Sequence, residues 1–137
     1  QLLGVFQYEK IYMDSGLNLS MLAEKIGTTR HNISQVINEH FGMSFFRFVN
    51  KYRIDETILI LNKDLHRNLN IIDIAYDVGF NNKVTFNKAF KAELKMTPSQ
   101  YIKKIKQKKR ALVTQILTQL SQKKNTYLRD MNHAISR

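Results

Sequence analysis

Two short stretches of this chain carry hydrogen-bonding side chains opposite an apolar stripe at helical spacing. In RHNISQVIN (residues 30–38), Ile33, Val36 and Ile37 are spaced to face a core. That leaves His31, Ser34, Gln35 and Asn38 on the opposite side, with Arg30 and Asn32 flanking. In KVTFNKAF (residues 83–90) the apolar side is Phe86, Ala89 and Phe90, so Lys83, Val84, Thr85 and Lys88 point outward, with Asn87 a weaker candidate beside them. These residue types suit the edges of bases in a DNA major groove. Gln35 can form two bonds with adenine, Lys88 can donate to O6 and N7 of guanine, and Val84 or the Thr85 methyl can meet a thymine methyl. Ser34 is permissive, and His31 can donate or accept, although a solvated helix position explains a lone histidine equally well. Thr29, Asn82, Arg53 and Lys91 lie near helix starts or beside these faces, where phosphate contact is expected. For Arg53, an ion pair within its own helix is an equal alternative.

A helix offers such a face to a groove only when a partner helix fixes it, and the chain supplies that partner twice. An alanine followed four residues later by glycine occurs at Ala23/Gly27 and again, 52 residues on, at Ala75/Gly79. In a helix-turn-helix the first helix needs a small residue at the crossing, the turn needs a residue that tolerates positive φ, and apolar side chains lock the pair. Leu22, Ala23 and Ile26 precede Gly27, and Ile74, Ala75 and Val78 precede Gly79. The second apolar stripe comes one position later than in the first unit, which predicts a turn one residue longer. One such unit is also compatible with an ordinary helix hairpin; two in tandem point to a DNA-reading pair.

The composition favours helix and excludes several chemistries. The 137 residues include one proline and five glycines, with no convincing strand. With no cysteine, there is no disulfide, zinc–thiolate site or thiol nucleophile, and a reducing cytoplasm is the expected compartment. His40, His66 and His133 lack metal-ligand spacing, and Asp73 and Asp77 on one helix face read as dipole compensation rather than acid–base chemistry. No metal, cofactor or catalytic role is expected. The formal net charge is +11, and it is unevenly distributed. Residues 1–101 hold 12 basic and 10 acidic side chains, whereas 10 basic residues stand against Asp130 alone from Ile102 onward. Six of the eight residues 103–110 are Lys or Arg. Such a run attracts phosphate, but is also common on a merely solvated surface.

The periodicity predicts an all-α fold of seven helices. Two helix-turn-helix units are joined by a long connector helix, and a helical extension follows. The expected divisions are an N-terminal helix within 1–16, a first unit at 17–42, the connector at 43–63, a second unit at 64–102 and a basic extension at 103–137. The first helix is expected over residues 2–13 with Leu2, Leu3, Phe6, Ile11 and Met13 inward. Asn18, Thr29, Ser44, Asn70 and Asn81 or Asn82 are expected caps, and Asp64–Asn70 a polar loop. Phe45, Phe48, Val49, Tyr52, Ile54, Leu59 and Leu61 give the connector apolar contacts. Thr97-Pro98-Ser99-Gln100 fits a capping box. The last helix is expected to continue to Leu120, with Ile105, Leu112, Val113, Ile116, Leu117 and Leu120 in one stripe that either folds back or pairs with another copy through 102–120. Residues 121–137 are expected to be loose. The absence of an initiator methionine suggests a fragment whose N-terminal sensor domain is missing.

The segment GFNNKVTFNKAFKAELKMTPSQY resembles the signature of the AraC/XylS family of bacterial transcription regulators, through Gly79, Phe80, Phe86, Phe90, Lys91, Thr97, Pro98 and Tyr101. ISQVINEHFGMSFFRFVNKYRI is similar to the same family's first unit and connector, including Gly42, Phe48, Tyr52 and Arg53. The likeness covers roughly residues 17–102. Lys95 stands where a glycine is usual, Thr57 where alanine is usual, and Val84-Thr85 where a serine and an aromatic are frequent. The resemblance implies a monomer whose two reading helices enter successive major grooves of double-stranded DNA, with His31, Ser34 and Gln35 at the favoured contact positions. It also implies transcription regulation, with activation by recruitment of RNA polymerase favoured over repression. Alkyl-transfer DNA repair enzymes share such units but need a cysteine acceptor. The remaining alternative is a protein-interaction or anionic-surface module acting through the basic amphipathic extension.

Overall fold

A computed structural model describes residues 1–64 and 67–137. The described residues form seven α-helices and one short 3-10 turn: α1 (Leu2–Gln7), the turn (Ile11–Met13), α2 (Leu19–Ile26), α3 (Arg30–Phe41), α4 (Phe45–Lys63), α5 (Ile71–Asp77), α6 (Lys83–Leu94) and α7 (Pro98–Ile135). The chain divides into two units, Gln1–Gln100 and Tyr101–Arg137.

Side-chain caps set the starts of α2 to α7. Asn18, Thr29, Ser44, Asn70 and Asn82 accept from the backbone N–H groups of Met21, Asn32, Arg47, Ile72 and Thr85. Each satisfies a donor that the helix itself leaves unpaired, a contribution of about 1 kcal/mol per cap. At α7 the capping box is reciprocal. Gln100 N donates to Thr97 Oγ1 at 3.2 Å, and Thr97 N donates to Gln100 Oε1 at 2.9 Å.

The first unit contains two apolar regions served by one connector. Val5, Phe6, Tyr12, Leu17, Leu22, Ala23, Ile33 and Ile37 pack with Phe45, Phe48 and Val49 of α4. Fully buried Phe6 has its ring centroid 4.9 Å from those of both Phe48 and Tyr52. Farther along α4, Ile54, Thr57 and Leu61 are buried, and the helix packs on α5 and α6. Phe86 stands edge-on to Phe80 at 5.3 Å and to Phe90 at 5.7 Å. Thr57, a polar residue in this interior, donates its Oγ1 to Arg53 O at 2.8 Å, so its hydroxyl is satisfied within its own helix.

The duplicated alanine–glycine spacing closes the same turn twice. Thr28 N donates to Ala23 O and Gly27 N to Glu24 O; Phe80 N donates to Ala75 O and Gly79 N to Tyr76 O. This crossed pair of bonds requires positive φ at the glycine, found at 79° for Gly27 and 112° for Gly79. From glycine to the following helix is one residue longer in the second helix-turn-helix, Gly79 to Lys83 against Gly27 to Arg30.

Several expectations change. The helix expected over residues 2–13 is interrupted because Lys10 takes a left-handed φ of 50°. The break turns Val5 and Tyr12 inward and leaves Leu3 and Met13 exposed. Val36 and Leu59, expected inward, are 40% and 64% exposed, since α3 buries only Ile33 and Ile37 and α4 turns Leu59 away from its neighbours. The helix beginning at Pro98 runs to Ile135 rather than ending near Leu120 with a loose remainder, because no glycine or proline follows Pro98. Leu65 and His66 of the expected Asp64–Asn70 loop lie outside the described residues.

Candidate nucleic-acid interface

Helix α3 is anchored by Ile33 and Ile37, one turn apart, and its start is held by the Thr29 cap. The anchoring leaves Arg30, His31, Ser34, Gln35 and Asn38 all exposed. Gln35 Nε2 donates to Glu39 Oε1 at 2.8 Å, so this amide is already oriented along the helix by a carboxylate one turn on. This i, i+4 glutamine–glutamate pair is readable from sequence spacing alone.

Helix α6 repeats the arrangement with Phe86 and Phe90, both fully buried, as the one-turn anchor and Asn82 as cap. Lys83, Val84, Thr85, Lys88 and Lys91 are exposed, and Asn87 is half-buried. A groove of about 480 Å³ opens beside this helix, lined by Lys83, Asn87, Lys88 and Lys91 together with Thr97 and Ser99 at the start of α7. Three ammonium groups and two hydroxyls around one groove suit an anionic backbone. Thr97 and Ser99 were legible only as a helix start; their nearness to the lysines of α6 depends on the tertiary fold. Thr29 and Asn82 use side-chain oxygens as caps, which leaves the Thr29 O–H and the Asn82 amide N–H groups able to donate to phosphate.

Arg53 corrects one expectation. It is only 8% exposed and serves the interior, not a phosphate. Its Nε donates to Tyr12 O at 2.7 Å and its Nη2 to Asp14 O at 2.9 Å, while the guanidinium lies 5.7 Å from the centre of the Phe80 ring. Burial lowers its pKa and the Asp14 charge opposes that shift. The ordinary guanidinium value is so high that the group stays charged at neutral pH. The alternative of an ion pair within α4 is also replaced, since both short bonds reach backbone carbonyls near the N-terminus. Alongside, Glu56 accepts from Lys10 Nζ at 2.8 Å and from the Tyr12 hydroxyl at 2.9 Å. Burial alone would raise the Glu56 carboxyl, but the bonds from Lys10 and Tyr12 outweigh it and hold the group below its ordinary value. Burial, reinforced by Glu56, pushes the Tyr12 phenol up.

Among the described residues no His, Asp, Glu and Cys side chains group as a metal site, and no helix is long and apolar enough to cross a membrane. A family model described as a helix-turn-helix domain matches residues 22–104. The chain is 32% identical over 97 residues to an uncharacterised HTH-type transcriptional regulator of Staphylococcus aureus (strain COL), covering 71% of this chain and 13% of that one. A Haemophilus influenzae regulator of the same description is 31% identical over 88 residues, 64% of this chain and 28% of its own. The chain therefore spans less than a third of the length of these relatives. Among solved structures, the C-terminal domain of the two-component response regulator yesN from Fusobacterium nucleatum matches at 32% identity and a TM-score of 0.58, covering 69% of this chain and 88% of that one. The C-terminal domain of AraT, a response regulator from Geobacillus stearothermophilus, matches at 29% identity and a TM-score of 0.63, covering 75% and 84%. Duplicated turn, shared connector and these matches agree: the chain belongs to the AraC-type helix-turn-helix family of transcription regulators and carries its DNA-binding domain, a binding module and not an enzyme.

Proposed function

We propose that α3 and α6 read one asymmetric duplex site across two successive major grooves, about 10 bp apart. The observation that supports this most is the matched design of the two helices. Each is fixed by two buried side chains one turn apart, leaving the polar face free, and each packs on the same connector. Arg30, His31, Ser34, Gln35 and Asn38 read one half of the site, and Lys83, Val84, Thr85, Asn87 and Lys88 the other. Thr29, Asn82 and Lys91 hold phosphates and so set register rather than sequence. Selection of sites from random duplexes should yield a two-part sequence with helical-turn spacing. Gln35→Ala and Lys88→Ala should each cost roughly 1–3 kcal/mol and relax different base positions. Recovery of a single short half-site, unaffected by one of the two substitutions, would reject paired reading.

We further propose that the chain belongs to an activator that contacts RNA polymerase in the reducing interior of a bacterium and that it works with a sensor domain of the same protein. Transcription in vitro from a promoter bearing the selected site tests the sign of the effect. A second reading, in which the extension docks on an anionic surface or protein, draws on the exposed basic run at 103–110. Deleting residues 103–137 separates the two. Unchanged sequence preference favours groove reading by α3 and α6, whereas loss of all preference favours the extension.

A further inference from the structure

From Leu112 onward the helix of the unit Tyr101–Arg137 carries a series of exposed large apolar side chains. Val113, Leu117, Leu120, Tyr127, Met131 and Ala134 follow one another at alternating steps of four and three residues, once Lys124 is counted in its place between Leu120 and Tyr127. Leu117, Leu120 and Tyr127 are 58%, 57% and 65% exposed. A lone helix of ordinary composition gains little stability from propensity and depends on packing of its apolar face. The alternation of fours and threes is the spacing of a two-helix coil seam, here flanked by the exposed Leu112, Ile116, Leu128 and Ile135.

We propose that this seam pairs with the same segment of a second copy of the chain, in antiparallel orientation. Charge selects the direction. A parallel pair would set Lys124 against the partner's Lys124 inside the seam and lay the two basic runs at 103–110 side by side. Charge also selects the register. With Leu117 facing the partner's Ala134, Leu120 the partner's Met131 and Lys124 the partner's Tyr127, the flanking Lys123 comes beside the partner's Asp130, and two-fold symmetry makes that ion pair twice. A shift of one heptad either way sets Lys123 against the partner's Lys123, or Asp130 against the partner's Asp130. Asp130 is the only acidic side chain after Glu93, and the selected register brings it to a cation in both copies. The pairing is independent of how the first unit reads DNA.

Sedimentation equilibrium of the full chain over a concentration series should show a monomer–dimer equilibrium. Asp130→Lys should raise the dissociation constant about tenfold by turning two attractions into two repulsions, and adding Lys123→Asp should bring it back to within about threefold. Both changes lie on an exposed flank, so helicity by circular dichroism should stay constant. In a parallel pair residues 123 and 130 do not meet across the interface, and the second change would restore nothing. The chain has no cysteine, so Gln115→Cys gives a single labelling site. Its two labels should lie more than about 30 Å apart along an antiparallel pair but side by side in a parallel one. A monomer at every concentration, as expected if the seam serves a different partner, would overturn the proposal, as would a short label distance or failure of the double exchange to restore affinity.

Discussion

The two helix-turn-helix units close their turns with the same hydrogen bonds, yet their glycines answer different demands. A Cβ added at Gly27 meets nothing within 4 Å. There glycine is required only by the sign of φ. A Cβ at Gly79 would lie 2.5 Å from Tyr12 O and 2.7 Å from Arg53 Nε, so the glycine also provides the space in which Arg53 bonds to Tyr12 O. Asn81 Nδ2 donates to Ser15 O at 3.1 Å beside it. The first turn is thus a local device. The second is also where the N-terminal segment, the connector and the second unit meet, so one sequence spacing carries two unequal structural loads.

The largest expected effect follows from this inequality. Gly79→Ala should destabilise the domain by more than about 3 kcal/mol, since backbone strain adds to a clash with a backbone oxygen that has no free end to swing away. Gly27→Ala should cost only about 1 kcal/mol, from φ alone. Urea unfolding of the two variants measures the contrast directly, and equal losses would mean that the close approach at Gly79 relaxes at little cost. Next in size is Arg53→Lys, expected to cost about 2–3 kcal/mol because one ammonium cannot reach both Tyr12 O and Asp14 O. The salt dependence of DNA binding should be unchanged in Arg53→Gln, which removes the charge. A slope reduced by about one with stability intact would return Arg53 to the phosphate role.

A smaller effect, about 1 kcal/mol, belongs to the Lys10–Glu56–Tyr12 cluster on the same N-terminal segment. The Glu56 carboxyl is held below its ordinary value in the folded chain. Its contribution is therefore complete above the ordinary carboxylate pKa and is lost as pH falls through the lower folded value. Glu56→Gln should flatten that part of the acid limb of a stability–pH curve and leave neutral-to-alkaline behaviour parallel to the parent. An unaltered acid limb would remove Glu56 from the account.

What was legible in the sequence was local. Caps at Asn18, Thr29, Ser44, Asn70, Asn82 and Thr97 announce helix starts because the bond is made within three residues, and the exposure of Ser34, Gln35 and Lys88 follows from periodicity once Ile33, Ile37, Phe86 and Phe90 are assigned inward. The break at Lys10 had no such sign, since a lysine at left-handed φ is held there by its surroundings and not by its type. The destination of Arg53 depends on carbonyls about 40 residues away, and the groove joining Lys83, Lys88 and Lys91 to Thr97 and Ser99 depends on how α6 and the start of α7 come together. Side chains read correctly as polar and outward can thus still be missing their neighbours.

The ends of α3 and α6 offer the finest test of the comparison. Helix α3 is closed by Gly42 at φ 63° and α6 by Lys95 at φ 58°, nearly the same left-handed conformation with different residues. Both glycine and lysine donate the closing N–H, Gly42 N to Asn38 O and Lys95 N to Lys91 O, each at 2.9 Å. The lysine differs in bearing a Cβ that crowds its own backbone there, offset only by an exposed bond from Lys95 Nζ to Ala92 O. Lys95→Gly should consequently stabilise the domain by about 0.5–1 kcal/mol, and Gly42→Lys should destabilise it by a similar amount. Thermal or urea unfolding resolves differences of this size. If Lys95→Gly is destabilising instead, the ammonium bond at the end of α6 outweighs the strain, and the two helix ends are not equivalent after all.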